Sequence, residues 1–183
     1  MRRQPRRGFT LPEVLVTIAI VATLAAVLLP ALNNQLSKGD AGRLTSDLVA
    51  VQTAVGAFTS DVRRYPKLLV DLKTKPSSTA DDILGNDYTA QLVSKWRGPY
   101  LSKDLTNNDS LATGSGAYIN GTFTSSTYNG IKYLTISVRS LTEAEFNNID
   151  QIIDEAANSS TGQLTYSVSG TVRTATFYAV PIQ

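Results

Sequence analysis

The stretch Gly8-Phe9-Thr10-Leu11-Pro12-Glu13, with the apolar run that follows it to Leu32, decides how this chain of 183 residues is organised. The basic segment ahead of it contains no acidic residue and four arginines, Arg2, Arg3, Arg6 and Arg7. The run behind it has no charged residue between Val14 and Leu29. A helix needs about 20 mostly apolar residues to cross a bilayer, and Leu11 to Leu32 supplies roughly that number. The sequence therefore predicts a membrane helix followed by a soluble domain.

The residues alone leave three interpretations of this stretch open. A secretory signal peptide has the same basic and apolar regions, but it expects a small-x-small cleavage site after the apolar core. Here the apolar pattern continues past Ala25 and Ala26 without a break in polarity. A plain membrane anchor fits the length but leaves Glu13 unexplained, because a carboxylate near the edge of a membrane helix costs up to a few kcal/mol. In the third interpretation, Glu13 has a partner for its charge.

The residues from Gly8 to Leu15, GFTLPEVL, strongly resemble the processing site of the type IV pilins and type II secretion pseudopilins. In that family a membrane aspartic peptidase cleaves after the glycine and methylates the new N-terminal residue. The resemblance therefore implies cleavage between Gly8 and Phe9, and N-methylation at Phe9. The family's glutamate falls on Glu13, which implies a role for this residue in assembly. Pro12 replaces the aliphatic residue often found before that glutamate, and this variant is common in the family.

The resemblance implies an α+β fold, the pilin fold, in which a long N-terminal helix packs on a small antiparallel sheet. We divide the chain into a leader peptide at 1–8, a transmembrane and filament-core half-helix at 9–32, and an exported globular domain at 33–183. The leader arginines lie on one flank of the apolar run, so the positive-inside rule places the leader in the cytoplasm and exports the domain. Without those four arginines, the 17 basic residues fall to 13 against 15 acidic ones. The processed chain is then slightly acidic, which argues against a nucleic-acid partner.

A second apolar pattern predicts that the helix continues beyond the membrane. It recurs at spacings of three and four and comprises Leu44, Leu48, Val51, Val55, Phe58 and Val62. Arg43, Asp47, Asp61 and Arg63 are expected to face solvent. The pattern ends at Tyr65-Pro66, because the residue before a proline is disfavoured in helix. Pro30, Gly39 and Gly42 each weaken a helix, so we expect a loss of helicity between Pro30 and Gly42.

The rest of the chain predicts short helices and a sheet. Arg64-Tyr65-Pro66 and Trp96 to Leu101 resemble segments of type II secretion pseudopilins that follow the long helix and lead into the sheet. Thr142 and Glu145 form a capping-box pattern that opens a second helix. The predicted short helices are Ser78–Asp82 and Asp87–Ser94, the second helix is Leu141–Ala157, and the strands are Gly116–Phe123, Ile131–Arg139, Leu164–Val168 and Val172–Val180.

The composition argues against an enzyme. The chain contains no cysteine and no histidine, so cysteine nucleophiles, histidine-based triads and the usual zinc sites are absent. It also has no phosphate-binding Gly-Lys motif. The segment from Lys103 to Asp109 is rich in oxygen ligands, and related pseudopilins bind calcium in a loop of this domain. The same residue types favour simple turns, so we predict no metal, no cofactor and no catalytic residue.

The resemblance implies that the chain is a structural subunit of a type II secretion pseudopilus or a related type IV pilus-like filament. Its implied partners are the prepilin peptidase, other pilin or pseudopilin subunits in a homo- or hetero-oligomeric filament, and the bacterial inner membrane. The protein is expected to cross that membrane once and to enter an extracytoplasmic filament on assembly. One alternative is a minor type IV or DNA-uptake pilin. The other is a membrane-anchored module that binds a surface through its Thr-, Ser- and Asn-rich loops.

Overall fold

A computed structural model of the chain describes residues 8–106, 109–113, 116–155, 158–170 and 172–182. The chain divides into two compact units, Met1–Ser37 and Lys38–Gln183. Helix α1, Leu11–Val62, contributes to both units. The second unit contains all the other helices and strands that the structure describes.

Helix α1 is continuous over 52 residues, and Pro30 lies inside it. The predicted loss of helicity between Pro30 and Gly42 is therefore wrong. Proline removes a single backbone hydrogen bond, but its fixed φ of about −65° is compatible with a helix. Gly39 and Gly42 keep ordinary negative φ angles. From Ala41 onward, burial of one helix face adds stability that the local propensities do not contain.

Helix α1 ends at Val62, ahead of the predicted end at Tyr65-Pro66, because Arg63 adopts a left-handed conformation with φ of 62°. A short 3₁₀ helix, Leu69–Leu72, and the single-turn helix α2, Ala90–Val93, follow. The predicted helix at Ser78–Asp82 is absent, and Asp81 instead forms an isolated bridge with Asp87. The Asp82 carboxylate accepts the backbone N–H groups of Leu84 and Asn86, each at 2.8 Å, which favours a turn over a helix.

The sheet is antiparallel, with the strands ordered β1-β2-β4-β6-β5 and β3 paired with β4. Its strands are β1 Leu111–Ala112, β2 Tyr118–Ile119, β3 Thr124–Tyr128, β4 Ile131–Arg139, β5 Leu164–Ser169 and β6 Val172–Pro181. Strand β4 has the predicted bounds, and the predicted hairpin of β5 and β6 turns at Ser169-Gly170. The predicted strand at Gly116–Phe123 is reduced to the two residues of β2.

One face of the sheet carries the core of the second unit. Ile136, Val138 and Phe177 are buried on this face. The second apolar pattern of the sequence, from Leu44 to Val62, forms a stripe along α1, and every residue of this α1 stripe is at most 2% exposed. The Gln52 side chain donates to the Ala179 carbonyl at 2.5 Å, which ties α1 to β6. Helix α3, Glu143–Ile153, packs against strand β5 through Phe146. The Phe146 ring stacks on the Tyr166 ring, with the two ring centroids 4.9 Å apart. The capping box of Thr142 and Glu145 is present as predicted.

Asp47 was expected to face solvent, and this prediction is wrong. Its side chain lies on the buried side of α1 at 4% exposure. Lys103 comes from the loop after Tyr100 and donates to Asp47 Oδ1 at 2.5 Å. A charged partner makes burial of a carboxylate tolerable, and this partner lies 56 residues further along the chain.

Candidate functional site at the N-terminus

The predicted processing and assembly residues lie together where α1 begins. Thr10 precedes the first helical residue, and both its backbone N–H and its hydroxyl donate to Glu13 Oε2 at 2.8 Å. The Thr10 carbonyl accepts the N–H of Val14 at 3.2 Å. Glu13 therefore caps its own helix, and its negative charge also lies at the favourable positive end of the helix dipole.

The second oxygen of this carboxylate is free for another contact. Among the residues that the structure describes, Glu13 Oε1 accepts no hydrogen bond and Glu13 forms no ion pair. The carboxylate is thus held in position by Thr10 while its charge has no cationic partner among the residues from Gly8 onward that the structure describes. This arrangement suits a partner that brings a positive charge from outside.

Sequence reasoning identified Glu13 but missed Thr10. The signal was present, because Thr10-Leu11-Pro12-Glu13 has the Ser/Thr-x-x-Glu spacing of a capping box ahead of an apolar run. Pro12 fits the same arrangement, since a proline in the first turn lacks only an N–H that has no partner there.

Gly8 and Phe9 lie directly ahead of the helix, outside regular structure. A Cβ built on Gly8 meets no atom within 4 Å, and the Phe9 side chain is 91% exposed. The peptide bond between them therefore lies in an exposed segment, as cleavage by a peptidase requires. The basic residues at 1–7 lie outside the described part of the chain.

The first half of α1 presents apolar side chains on all sides. They are between 47% and 75% exposed in the first unit, and include Leu11, Val14, Ile18, Val21, Val27 and Leu32. An 18-residue window of this helix reaches a mean hydropathy of 2.6, and it is long and apolar enough to cross a membrane. A helix that is apolar all round requires an apolar environment on every side.

Most of the hydroxyl groups on α1 are bonded within the helix, including both of those in its apolar first half. Thr17 donates to the carbonyl of Val14 and Thr23 to that of Ile20, both at 2.8 Å. Further along, Thr53 and Ser60 donate to the carbonyls four residues earlier. These polar groups therefore do not interrupt the apolar character of the helix surface.

Elsewhere, the described residues contain no group of three or more His, Cys, Asp or Glu side chains that could hold a metal ion. In the oxygen-rich segment after Tyr100, Lys103 pairs with Asp47 and Asp104 pairs with Lys73. Asn107 and Asn108 of this segment lie outside the described residues.

Comparison with known proteins agrees with this geometry. The family model of the prokaryotic N-terminal methylation motif matches residues 3–29. The type II secretion system core protein G of Aeromonas hydrophila is 33% identical over 106 residues, which cover 55% of this chain and 74% of that protein. The corresponding Klebsiella michiganensis protein is 42% identical over 80 residues, covering 42% of this chain. Fimbrial protein Q of Moraxella bovis is 44% identical over 111 residues, covering 61% of this chain and 65% of that protein.

The chain spans about half the length of the Klebsiella michiganensis relative, 56% of it. No solved structure matches the chain. The match to the Aeromonas protein extends over most of that protein, and the methylation motif coincides with the start of α1. The chain belongs to the superfamily of type IV pilins and type II secretion pseudopilins.

Proposed function

We propose that this chain is a structural subunit of a type II secretion pseudopilus. In this proposal, the prepilin peptidase cuts between Gly8 and Phe9 and methylates the new amine of Phe9. The apolar half of α1 holds the subunit in the bacterial inner membrane, with the leader in the cytoplasm and the domain exported. Subunits then leave the membrane and join, alone or with related subunits, into a filament outside it.

The Glu13 carboxylate carries this proposal. It lies in the first turn of a fully apolar helix, and within the described residues nothing neutralises its charge. Cleavage would create an amine at Phe9, which supplies the missing positive charge in another subunit or in the same one. Two relatives named type II secretion system core protein G support the choice of filament.

Intact-mass spectrometry of membrane-extracted protein tests the processing step. We expect a chain that begins at Phe9 and carries one added methyl group. Gly8→Val should leave the leader attached, because a branched side chain replaces the hydrogen that the peptidase site accommodates. Gly39→Ala is the matched control, since a Cβ at Gly39 also meets no atom within 4 Å and it lies far from the cut. A wild-type mass that retains Arg6 and Arg7 in peptidase-competent cells would contradict the proposal.

A minor type IV pilin or DNA-uptake pilin is the second candidate. The observation that favours it is the 44% identity to fimbrial protein Q of Moraxella bovis. The two candidates separate in a deletion strain complemented with the full chain. Loss of exported enzymes from the medium supports the secretion pseudopilus, whereas loss of surface pili or of DNA uptake with normal secretion supports the pilin.

A further inference from the structure

Helix α3 and the connection from it to β5, residues 154–163, contain acidic residues but no basic residue. No lysine or arginine occurs between Arg139 and Arg173, whereas five acids do: Glu143, Glu145, Asp150, Asp154 and Glu155. Asp150 and Asp154 are four residues apart, so they lie one above the other on the same face of the helix. Asp154 closes α3 as its C-cap residue.

Asp150 is the more unusual of the two, because it is fully buried at 0% exposure. Its Oδ2 accepts the backbone N–H of Asn158 at 2.6 Å. Its Oδ1 is shielded from solvent and has no hydrogen-bond partner among the described residues. A buried carboxylate oxygen without a partner is expensive, and an unpaired buried charge costs more still.

Asp154 is fully engaged with the start of β5. Its Oδ1 accepts the N–H of Gln163 and its Oδ2 accepts the N–H of Leu164, both at 2.9 Å. Gly162 packs against the same carboxylate with φ of 107°, and any side chain there would collide with it. Three backbone N–H groups are thus held by two carboxyl groups, and these contacts fasten the α3–β5 connection to the helix.

The surroundings supply no positive charge for this pair. Strand β5 has no charged residue, and its one titratable side chain, Tyr166, donates to the Leu141 carbonyl at 3.4 Å. The connection adds the acid Glu155, and the last turn of α3 contains no basic residue. No ion pair in the described part of the chain involves Asp150 or Asp154. The C-terminal end of a helix further disfavours anions.

We propose that Asp150 holds a proton on Oδ1 and donates it to the Asp154 carboxylate, so that the pair shares one proton and one negative charge. Residues four apart on a helix are neighbours on its surface, which brings the two carboxyl groups within reach of this hydrogen bond. Both oxygens of Asp154 already accept an N–H group, whereas Asp150 accepts one N–H through Oδ2 and leaves Oδ1 without a partner among the described residues. The proton supplies the partner that Oδ1 lacks and removes the second charge from the helix end.

Burial and, to a smaller degree, the neighbouring charge of Asp154 raise the pKa of Asp150. A folded-state pKa above the unfolded value means that this stabilisation is complete at low pH and is lost as pH rises through the folded value. Above that pH the two carboxylates repel each other, and local opening of their contacts to Asn158, Gln163 and Leu164 becomes easier. Strand β5 lies at the edge of the sheet, and Ser159 of the connection accepts the N–H of Tyr166 on it. Opening therefore also uncovers part of a sheet edge.

The test uses the full chain in detergent micelles, observed by NMR between pH 5 and pH 9. The ¹³Cγ shift of Asp150 should show a protonated carboxyl at low pH and titrate well above an ordinary aspartate. As pH rises towards the folded-state pKa of Asp150, hydrogen-exchange protection of Gln163 and Leu164 should fall by up to about tenfold per pH unit, after correction for the intrinsic exchange rate, and it should level off above that pKa. Asp150→Asn replaces the donor O–H by N–H, so protection should no longer depend on pH. Glu143→Gln is the matched control on the same helix and should behave as wild type.

Two results would overturn the proposal. One is a ¹³Cγ shift of wild-type Asp150 that is typical of an ionised carboxylate across the whole range, a measurement that needs no variant to fold. The other is full protection at pH 8 that appears only with millimolar calcium, since a cation would then neutralise the pair instead of a proton.

Discussion

At the scale of single residues, Glu13 is central to the proposed assembly of the subunits. Two unit charges about 4 Å apart attract by roughly 4 kcal/mol at an effective dielectric of 20. This is similar to the insertion cost of one carboxylate, so an amine at Phe9 makes the burial of Glu13 tolerable. Thr10 already fixes the carboxylate through Oε2, which leaves Oε1 available to a partner from another subunit.

We therefore predict that Glu13→Leu leaves cleavage and membrane insertion intact but impairs filament assembly. An uncharged helix loses the one contact that fixes its axial position against its neighbours. Sheared-filament yield and crosslinked oligomers are compared at equal subunit levels, with Thr17→Val as the control because its hydroxyl bonds only within α1. Normal assembly of the processed Glu13→Leu protein would reduce α1 to a plain anchor.

Asp71 predicts how the stability of the second unit, Lys38–Gln183, depends on pH. Burial raises its pKa from 3.8 to about 6, although its carboxylate accepts the Leu68 N–H at 3.2 Å. The folded state therefore binds a proton more tightly than the unfolded state. Stability falls as pH rises from about 4 to about 6, by up to about 3 kcal/mol.

Asp71→Asn should flatten this dependence, because the amide cannot ionise and its oxygen still accepts the Leu68 N–H. Urea unfolding between pH 4 and pH 7.5 measures the effect. Asp150 has a pKa raised in the same direction, so part of the slope remains in the variant. An unchanged slope in Asp71→Asn would show that Asp71 is ionised in the folded state throughout.

The family motif could be recognised from sequence because it is local. Gly8, Phe9 and Glu13 lie within six residues, and their roles stay predictions that rest on the resemblance to the family's processing site. The buried state of Asp47 could not be predicted, because its partner Lys103 approaches only in the folded domain. The burial of Asp150 could not be predicted either, because helical periodicity does not distinguish a buried acid from an exposed one.

At the scale of elements, Gly98 shows why the segment after α2 needs a glycine. A Cβ at Gly98 would fall onto the Trp96 indole, within 2.8 and 2.9 Å of two of its ring atoms. That indole is fixed on both sides, because its N–H donates to the Asp71 carbonyl at 3.1 Å and its ring packs edge-on against Tyr100.

Gly98→Ala should therefore destabilise the domain by about 1–3 kcal/mol through overpacking. Trp96 is the single tryptophan of the chain, so its fluorescence should also shift towards that of an exposed indole. Gly56→Ala is the control, because a Cβ there meets no atom within 4 Å and alanine favours the helix. Equal stability of Gly98→Ala and wild type would mean that the indole moves without cost.

Long elements with a clear period were predictable, and short ones were not. The α1 stripe and β4 match their patterns because each buries one full face. The segment from Ser78 to Asp87 has no period to guide prediction. Its turn depends on a single side chain, Asp82, which also pairs with Arg64 at 3.4 Å. Local capping signals alone predicted a helix where a tertiary contact stabilises a turn.

At the scale of the whole molecule, the second unit should fold without the first. Every large buried apolar side chain of the core lies between Ala41 and Ala179. We predict that the fragment Lys38–Gln183 is a soluble monomer with one cooperative thermal transition. Within this fragment, Phe58→Ala should cost about 3–5 kcal/mol, because its ring is fully buried between Tyr88 and Tyr100. Aggregation of the unaltered fragment would mean that residues before Lys38 are needed for folding.

The class of the fold followed from the order of its elements, whereas the strand order did not. A long helix followed by short strands predicts an α+β domain. The position of β6 between β4 and β5 depends on contacts between segments distant in sequence, such as Val138 with Ala175, which are 37 residues apart. No periodicity within one strand specifies its neighbour in the sheet.

The internally bonded hydroxyls of α1 have a consequence for transport. Thr17 and Thr23 keep the same hydrogen bonds whether lipid chains or protein side chains surround them. No donor has to be solvated or abandoned when the helix exchanges one apolar medium for the other. The two surroundings are then nearly equivalent in polar terms for this part of the helix. Extraction of this part of the helix from a bilayer would therefore meet no hydrogen-bonding barrier. Its direction would depend on the charged end of the helix and on the force applied to it.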